Sequence, residues 1–191
     1  MHELSQMIKD DMKPALGVTE PGAIAFAVAK ARSFTKGDIK KVNVAMNSGM
    51  YKNAFTCGIP NSNEVGNVFA AALGVVAGNA DKGLESLADV TPEDNVKAQE
   101  MIDQGKITVE LSGITSRIFI EATVETEEDK AIVTIRDSHT NITKIIVNDK
   151  VELETEDEKK TEEDGGEEES HSIHKYTLQQ LYDYVTTVDI E

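Results

Sequence analysis

The sequence has no tryptophan, four prolines and a single cysteine, and aromatic residues make up only 5% of its 191 residues. Each scarcity excludes something. With one thiol, Cys57, there is no intrachain disulfide and no CxxC metal or redox motif. With few rings, a core must be built from Ala, Val, Ile, Leu and Met, which favours close packing of helices. No apolar run approaches the roughly 20 residues that a bilayer span requires. The opening MHELSQMIKDDMK is amphipathic and charged rather than a signal peptide, so a cytoplasmic protein is expected. Basic residues are also few: 19 Lys and Arg stand against 35 Asp and Glu, for a formal charge of -16. A nucleic-acid binder needs clustered cations to neutralise phosphates, so that partner is excluded.

What is present divides into blocks. The acidity is concentrated: between Glu152 and Glu169 eleven acids face only Lys159 and Lys160. This run, with Gly165 and Gly166 inside it, is too poor in apolar side chains to repay ordering entropy and reads as an acidic mobile loop or linker. The expected organisation is an α+β domain over residues 1–153, a flexible acidic linker over 154–175, and a helix over 176–191 that leads toward a further domain. Hydrophobic residues at 39% and charged residues at 28% fit a folded protein.

Leu4, Met7, Ile8 and Met12 recur at helical spacing, which predicts a first helix from Glu3 to about Ala15. After the turn Leu16-Gly17-Val18, Thr19-Glu20-Pro21 predicts a helix start, with Thr19 as cap and Pro21 in the first turn. That helix carries Ala23, Ala25, Ala27, Ala29 and Ala31 and is small or apolar on nearly all faces, the pattern of a buried helix. Ile39, Val42, Val44 and Met46 predict a strand, and a long loop from Asn47 to Asn63 follows. Glu64–Ala77 reads as a second buried helix, Asp81–Leu87 as a short one, and Thr91-Pro92 as the capped start of another that ends at Gly105. Lys106–Leu111 begins the strand-rich part, and the alternating stretch Arg117–Glu154, with turns near Thr126–Asp129 and at Asn148-Asp149, predicts an antiparallel meander. Small-residue helices packed on an antiparallel sheet make an α+β fold. Thr177 caps a last helix with Leu178, Leu181, Tyr182 and Val185 on one side.

Three places offer chemistry. The helix start at Thr19 presents free amides suited to a carboxylate, beside a hydroxyl, although an ordinary capped helix looks the same. The loop 47–63 supplies donors and a cation in Asn47, Ser48, Lys52, Asn53, Thr56 and Cys57, and its length is a second reason to read function there. Lys52 near Cys57 would favour a thiolate, the alternative being a small buried core cysteine. His139, in Asp137-Ser138-His139-Thr140-Asn141, is a proton-transfer candidate or simply part of a turn built by Asp and Asn. His171 and His174 border the acidic run and suit adventitious metal at most. No P-loop, GxGxxG or Ser-His-Asp pattern is present, which removes the case for an independent hydrolase.

Taken in order, GVTEPGAIAFAVAKA, YKNAFTCGIPNSNEVGNVFAAALGVVAGNADKGLESLADVTPE, GKITVEL, DSHTNI and TLQQLYDYV resemble the N-terminal half of the L-cysteine desulfidase family, which is similar to the alpha chain of iron–sulfur L-serine dehydratases. The resemblance implies a lyase: β-elimination on a small L-amino acid gives, after hydrolysis of the enamine, pyruvate and ammonia. It also implies an oxygen-sensitive [4Fe-4S] cluster in the full-length enzyme and none in this chain, because one thiol cannot hold such a cluster. The implied partner is a C-terminal catalytic half or subunit, without which the chain is inactive; a homo-oligomer is compatible with this reading. Val18 departs from the Gly-Cys-Thr-Glu-Pro form usual in that family. Position by position, the resemblance sets Thr19 and Glu20 near substrate, with Asn47, Lys52 and Asn53 close to its carboxylate or amino group. The candidate catalytic residues are therefore Thr19, Glu20 and Lys52, and the candidate substrate-binding residues Asn47, Ser48, Asn53 and His139. The alternative is a non-catalytic small-molecule binding or subunit-assembly module.

Overall fold

A computed structural model describes residues 2–12, 14–113, 118–155 and 172–188. The chain forms two compact units, Lys13–Asp157 and a smaller one made of Met1–Met12 with Glu158–Glu191. Most of the acidic run, residues 156–171, and with it His171, lies outside the described residues, as does the expected strand start at Arg117.

In the smaller unit, α1 (Glu3–Asp11) is capped by the His2 ring, whose Nδ1 accepts from the Leu4 amide at 3.1 Å. Its partner helix (Leu178–Thr187), α6 in chain order, begins in a reciprocal box: the Thr177 hydroxyl accepts from the Gln180 amide and the Gln180 side chain accepts from Thr177. The two helices are tied by a 2.6 Å hydrogen bond between the Ser5 and Tyr184 hydroxyls and by the Glu3 carboxylate, which accepts from Lys175 and from the Tyr176 hydroxyl. Hydrogen bonding to Lys175 and Tyr176 holds the Glu3 carboxyl below its ordinary value.

The larger unit is α+β, as its alternating and helical patterns predict. Helix α2 (Thr19–Arg32) has ten buried positions, among them all five alternating alanines, so no solvent-facing side interrupts its small-residue surface. Strand β1 (Ile39–Met46) follows, then α3 (Ser48–Ala54), α4 (Asn67–Ala77), a 3₁₀ turn at Ala80–Glu85, and α5 (Pro92–Asp103). Strands β2 (Ile107–Leu111), β3 (Phe119–Thr126), β4 (Lys130–Arg136), β5 (Ile142–Val147) and β6 (Lys150–Glu154) complete one sheet of order β2-β1-β3-β4-β5-β6. Helices α2 and α4 pack on each other and on one sheet face, where Val42, Val44, Ile120, Val124, Val133 and Ile135 are fully buried.

Strands β3 to β6 form the antiparallel meander expected over 117–154; β1 joins it antiparallel to β3, and β2 pairs with β1 in parallel, since the chain between them crosses over through α3, α4 and α5. Two expectations are corrected. The loop after Asn47 opens with the helix α3, because Met50 and Ala54, four residues apart, bury one side of a short helix against the core. Finally, Thr19 is the first residue of α2 rather than its cap; Val18 holds the cap position in extended conformation and supplies no side-chain hydrogen bond.

Elsewhere local chemistry decides as expected. Thr91 and Asp94 form a full capping box with Pro92 at the first turn, and the hydrogen bonds from Thr91 keep the Asp94 carboxyl below its usual value. Asn148 and Asp149 both adopt positive φ, 49° and 65°, the pair of angles that a two-residue hairpin of the favoured twist demands.

Candidate functional site

Because Thr19 is not occupied in capping, its hydroxyl is available to other partners. It lies 3.4 Å from Glu20 Oε2, to which it donates, and 3.4 Å from His139 Nε2. Both contacts are long. A hydroxyl has one proton, so if both bonds form together, the imidazole must carry hydrogen on Nε2 and donate it to Thr19. The other carboxylate oxygen, Glu20 Oε1, accepts from Asn53 Nδ2 at 3.0 Å. Four residues named from the sequence thus form one chain of contacts, His139–Thr19–Glu20–Asn53.

Three elements converge to make it. Thr19 and Glu20 occupy the first turn of α2, where unpaired amides and the positive end of the helix dipole favour a negative charge. Asn53 comes from α3, and its own backbone carbonyl accepts the Cys57 thiol at 2.7 Å. His139 comes from the connection between β4 and β5. There Asp137 takes φ 65°, the amide of Arg136 donates to the Asn141 carbonyl at 3.1 Å, and Asn141 Nδ2 returns a 3.1 Å bond to the Arg136 carbonyl. The Asn141 side chain closes this turn by its hydrogen bond and Asp137 contributes the left-handed backbone it tolerates, while the His139 ring reaches Thr19. Thr19, Glu20 and His139 are half-buried and Asn53 is exposed, so the chain of contacts runs from the flank of the fold to its surface.

The remaining candidates fall differently. Asn47 is buried, and its Oδ1 accepts the Phe119 amide at 3.0 Å, pinning the start of α3 to the start of β3. That bond gives Asn47 a framework role. Ser48 and Lys52, at i and i+4 on α3, share a helix face and are both exposed; no hydrogen bond or ion pair among the described residues links their side chains to the cluster. Cys57 is half-buried and donates its thiol proton to the Asn53 carbonyl.

A [4Fe-4S] cluster does not fit the residues described. Their single thiol is engaged with a backbone carbonyl, and among the described residues no group of three or more His, Cys, Asp or Glu is placed to hold a metal ion. No helix among the described residues is long and apolar enough to cross a membrane.

Sequence reasoning missed a cleft of about 590 Å³ lined by Asn61, Ser62, Phe69, Asn95, Val96 and Gln99 among others, which includes none of the four clustered residues. Its polar side chains are largely structural: Asn61 Nδ2 donates to the Leu87 and Ala88 carbonyls at 2.9 and 3.0 Å, and Asn95 Nδ2 donates to the Asn61 and Thr91 carbonyls at 3.2 and 2.9 Å. The one sequence signal that pointed there was the density of Asn in Asn61-Ser62-Asn63; Asn61 takes φ 59°.

No protein-family profile and no solved structure matches the chain. Among curated proteins it is similar to UPF0597 proteins of Clostridium botulinum. One from strain Hall is 35% identical over 187 residues, which is 97% of this chain and 43% of that relative. A second from the same strain is 37% identical over 157 residues, 82% of this chain and 36% of the relative, and one from strain Loch Maree is 34% identical over 188 residues, 98% and 42%. The chain therefore spans less than half the length of these curated relatives, and its likeness is to the UPF0597 proteins.

Proposed function

We propose that the chain is the N-terminal part of a cytoplasmic lyase of the serine dehydratase or cysteine desulfidase type, which carries out β-elimination on a small L-amino acid to give pyruvate and ammonia. The observation that carries this reading is the chain of contacts His139–Thr19–Glu20–Asn53, drawn from three separated stretches of sequence, in which Thr19 and Asn53 hold the Glu20 carboxylate and His139 reaches the Thr19 hydroxyl.

The chemistry follows from the groups. A zwitterionic amino acid brings an ammonium and a carboxylate. The Glu20 carboxylate, its two oxygens oriented by Asn53 and Thr19, is the natural counter-charge for the ammonium. The amides at the start of α2 and the Lys52 ammonium on the neighbouring α3 suit the substrate carboxylate. Imidazole is the side chain most often used to pass a proton, and His139, hydrogen-bonded to Thr19, is suited to that role. In this reading the iron–sulfur cluster implied by the family resemblance is held by polypeptide beyond these residues.

The test is to combine the chain with the polypeptide corresponding to the unmatched part of the strain Hall relative, anaerobically and with iron and sulfide supplied, and to measure pyruvate from L-serine and L-cysteine. Turnover that requires both polypeptides is expected. A loaded complex that turns over neither amino acid would overturn the assignment.

A further inference from the structure

Strand β1 gives way to helix α3 at Asn47, which must serve both. The β1–β3 ladder ends with Met46 opposite Ile120, so Asn47 falls opposite Phe119. The Asn47 amide donates to the Phe119 carbonyl at 3.2 Å, one half of the exchange that joins a hydrogen-bonded antiparallel pair. In a regular ladder the Phe119 amide would return the bond to the Asn47 backbone carbonyl, but that oxygen accepts the Tyr51 amide at 3.0 Å, the opening bond of α3. The side chain takes its place: Asn47 Oδ1 accepts the Phe119 amide at 3.0 Å, and both residues are buried. A side-chain carbonyl at this reach belongs only to Asn and Asp. Gly49 leaves room for it, since a Cβ at Gly49 would lie 3.3 Å from Asn47 Nδ2.

Both flanks of the Glu20 cluster hang from this joint. On one side α3 carries Asn53, whose Nδ2 holds Glu20 Oε1. On the other, Phe119 stands opposite Arg136 at the end of β4, the Asp137 amide donates to the Ile118 carbonyl at 3.1 Å, and the turn that follows brings His139 to the Thr19 hydroxyl. The contacts close a ring, from Asn47 through α3, Asn53, Glu20, Thr19 and His139 to Arg136, Phe119 and back to Asn47. We infer that Asn47 is the positioning residue of this site: by letting β1 turn into α3 without releasing Phe119, it fixes where Asn53 and His139 stand on either side of Thr19 and Glu20. The family resemblance set Asn47 close to substrate; buried and engaged with Phe119, it acts instead through those two side chains. The contacts at Thr19 are long, 3.4 Å each, so they are the first to open when the joint slackens. This inference rests on the site assignment above but not on the reaction assigned to it.

NMR of the full chain decides it without turnover. Asn47→Leu keeps the size of the side chain and removes the acceptor, and Asn47→Asp keeps the acceptor. Gly49→Ala presses a methyl against Asn47 Nδ2 while favouring the helix, so it disturbs the joint without weakening α3. Thr91→Ala, which breaks the capping box of α5 and touches none of the ring, controls for general loss of stability. In the native chain a coupling across the hydrogen bond, between the Phe119 amide nitrogen and the Asn47 side-chain carbonyl carbon, is expected. Asn47→Leu, and to a lesser degree Gly49→Ala, should shift the signals of the Asn53 side-chain amide and the His139 ring together. Asn47→Asp should hold both at their native positions, and so should Thr91→Ala. Absence of the coupling, native Asn53 and His139 signals in Asn47→Leu, no rescue by Asn47→Asp, or equal shifts in Thr91→Ala would overturn the inference. Should Asn47→Leu fail to fold, the coupling and Gly49→Ala decide. The expected spectra together with a reconstituted complex that forms no pyruvate would leave the joint standing and remove the lyase.

Discussion

Replacing Gly74 by valine is expected to destabilise the larger unit by about 3 kcal/mol, the upper end of what overpacking a well-filled core costs. A Cβ at Gly74 would lie 2.8 Å from both the Cα and the carbonyl oxygen of Ala25. These are backbone atoms of α2, so no rotamer change relieves the clash; α2 and α4 must separate. Separation is costly here because α2 is buried along most of its length and also packs on β3 and β4, so its displacement is felt through the sheet. The better helix propensity of valine over glycine recovers only a few tenths of a kcal/mol. Thermal or urea unfolding measures the effect, with a fall in melting temperature of about 10 °C for a unit of this size. Gly58→Ala is the control: a Cβ there meets nothing within 4 Å, and a change within about 0.5 kcal/mol is expected. A Gly74→Val protein as stable as the native chain would mean that the two helices are not in backbone contact.

The second large effect concerns chemistry. In the reconstituted complex, Glu20→Gln is expected to lower kcat/KM by about 100-fold, the lower bound for loss of a positioned charged or proton-handling group. The substitution keeps the shape: the glutamine oxygen still accepts from Asn53, and its amide still reaches Thr19. What disappears is the negative charge. Stability should stay within about 0.5 kcal/mol of native, which separates a functional loss from unfolding. Unchanged turnover in Glu20→Gln would strip Glu20 of its role while leaving the fold untouched.

Periodicity located β1 and β3 to β6, because alternation marks a half-buried strand whatever its neighbours. Capping chemistry located the starts of α5 and α6, since Thr91 and Thr177 satisfy amides within their own turns. The same rule failed at Thr19, where the cap position went to Val18 and the threonine hydroxyl turned to Glu20 and His139. Side-chain propensity speaks to local satisfaction and is silent when a partner 120 residues away competes for the same oxygen. Helix α3 was hidden because Ser48, Gly49 and Asn53 are turn formers, and only the Met50–Ala54 pair, held against the core by tertiary packing, makes it helical. The parallel seating of β2 beside β1 was illegible for the same reason: its residues fit either neighbour, and the crossover decides.

For the site, residue type picked out Thr19, Asn53 and His139, the family resemblance added Glu20, and the fold brings the four together. It could not separate them from Asn47, whose side chain is just as polar but serves the Phe119 backbone, nor weigh Ser48 and Lys52, which stand exposed on the same helix as Asn53.

The most direct measurement is a two-dimensional NMR titration of the ¹⁵N-labelled chain with L-serine and with L-cysteine. Saturable shifts are expected at the amides of Thr19, Glu20 and Asn53 and at the His139 ring, with Asn61, Ser62 and Asn95 unmoved. Shifts confined to the Asn61–Asn95 cleft, or none at the four residues at any concentration, would contradict a substrate site built around Glu20.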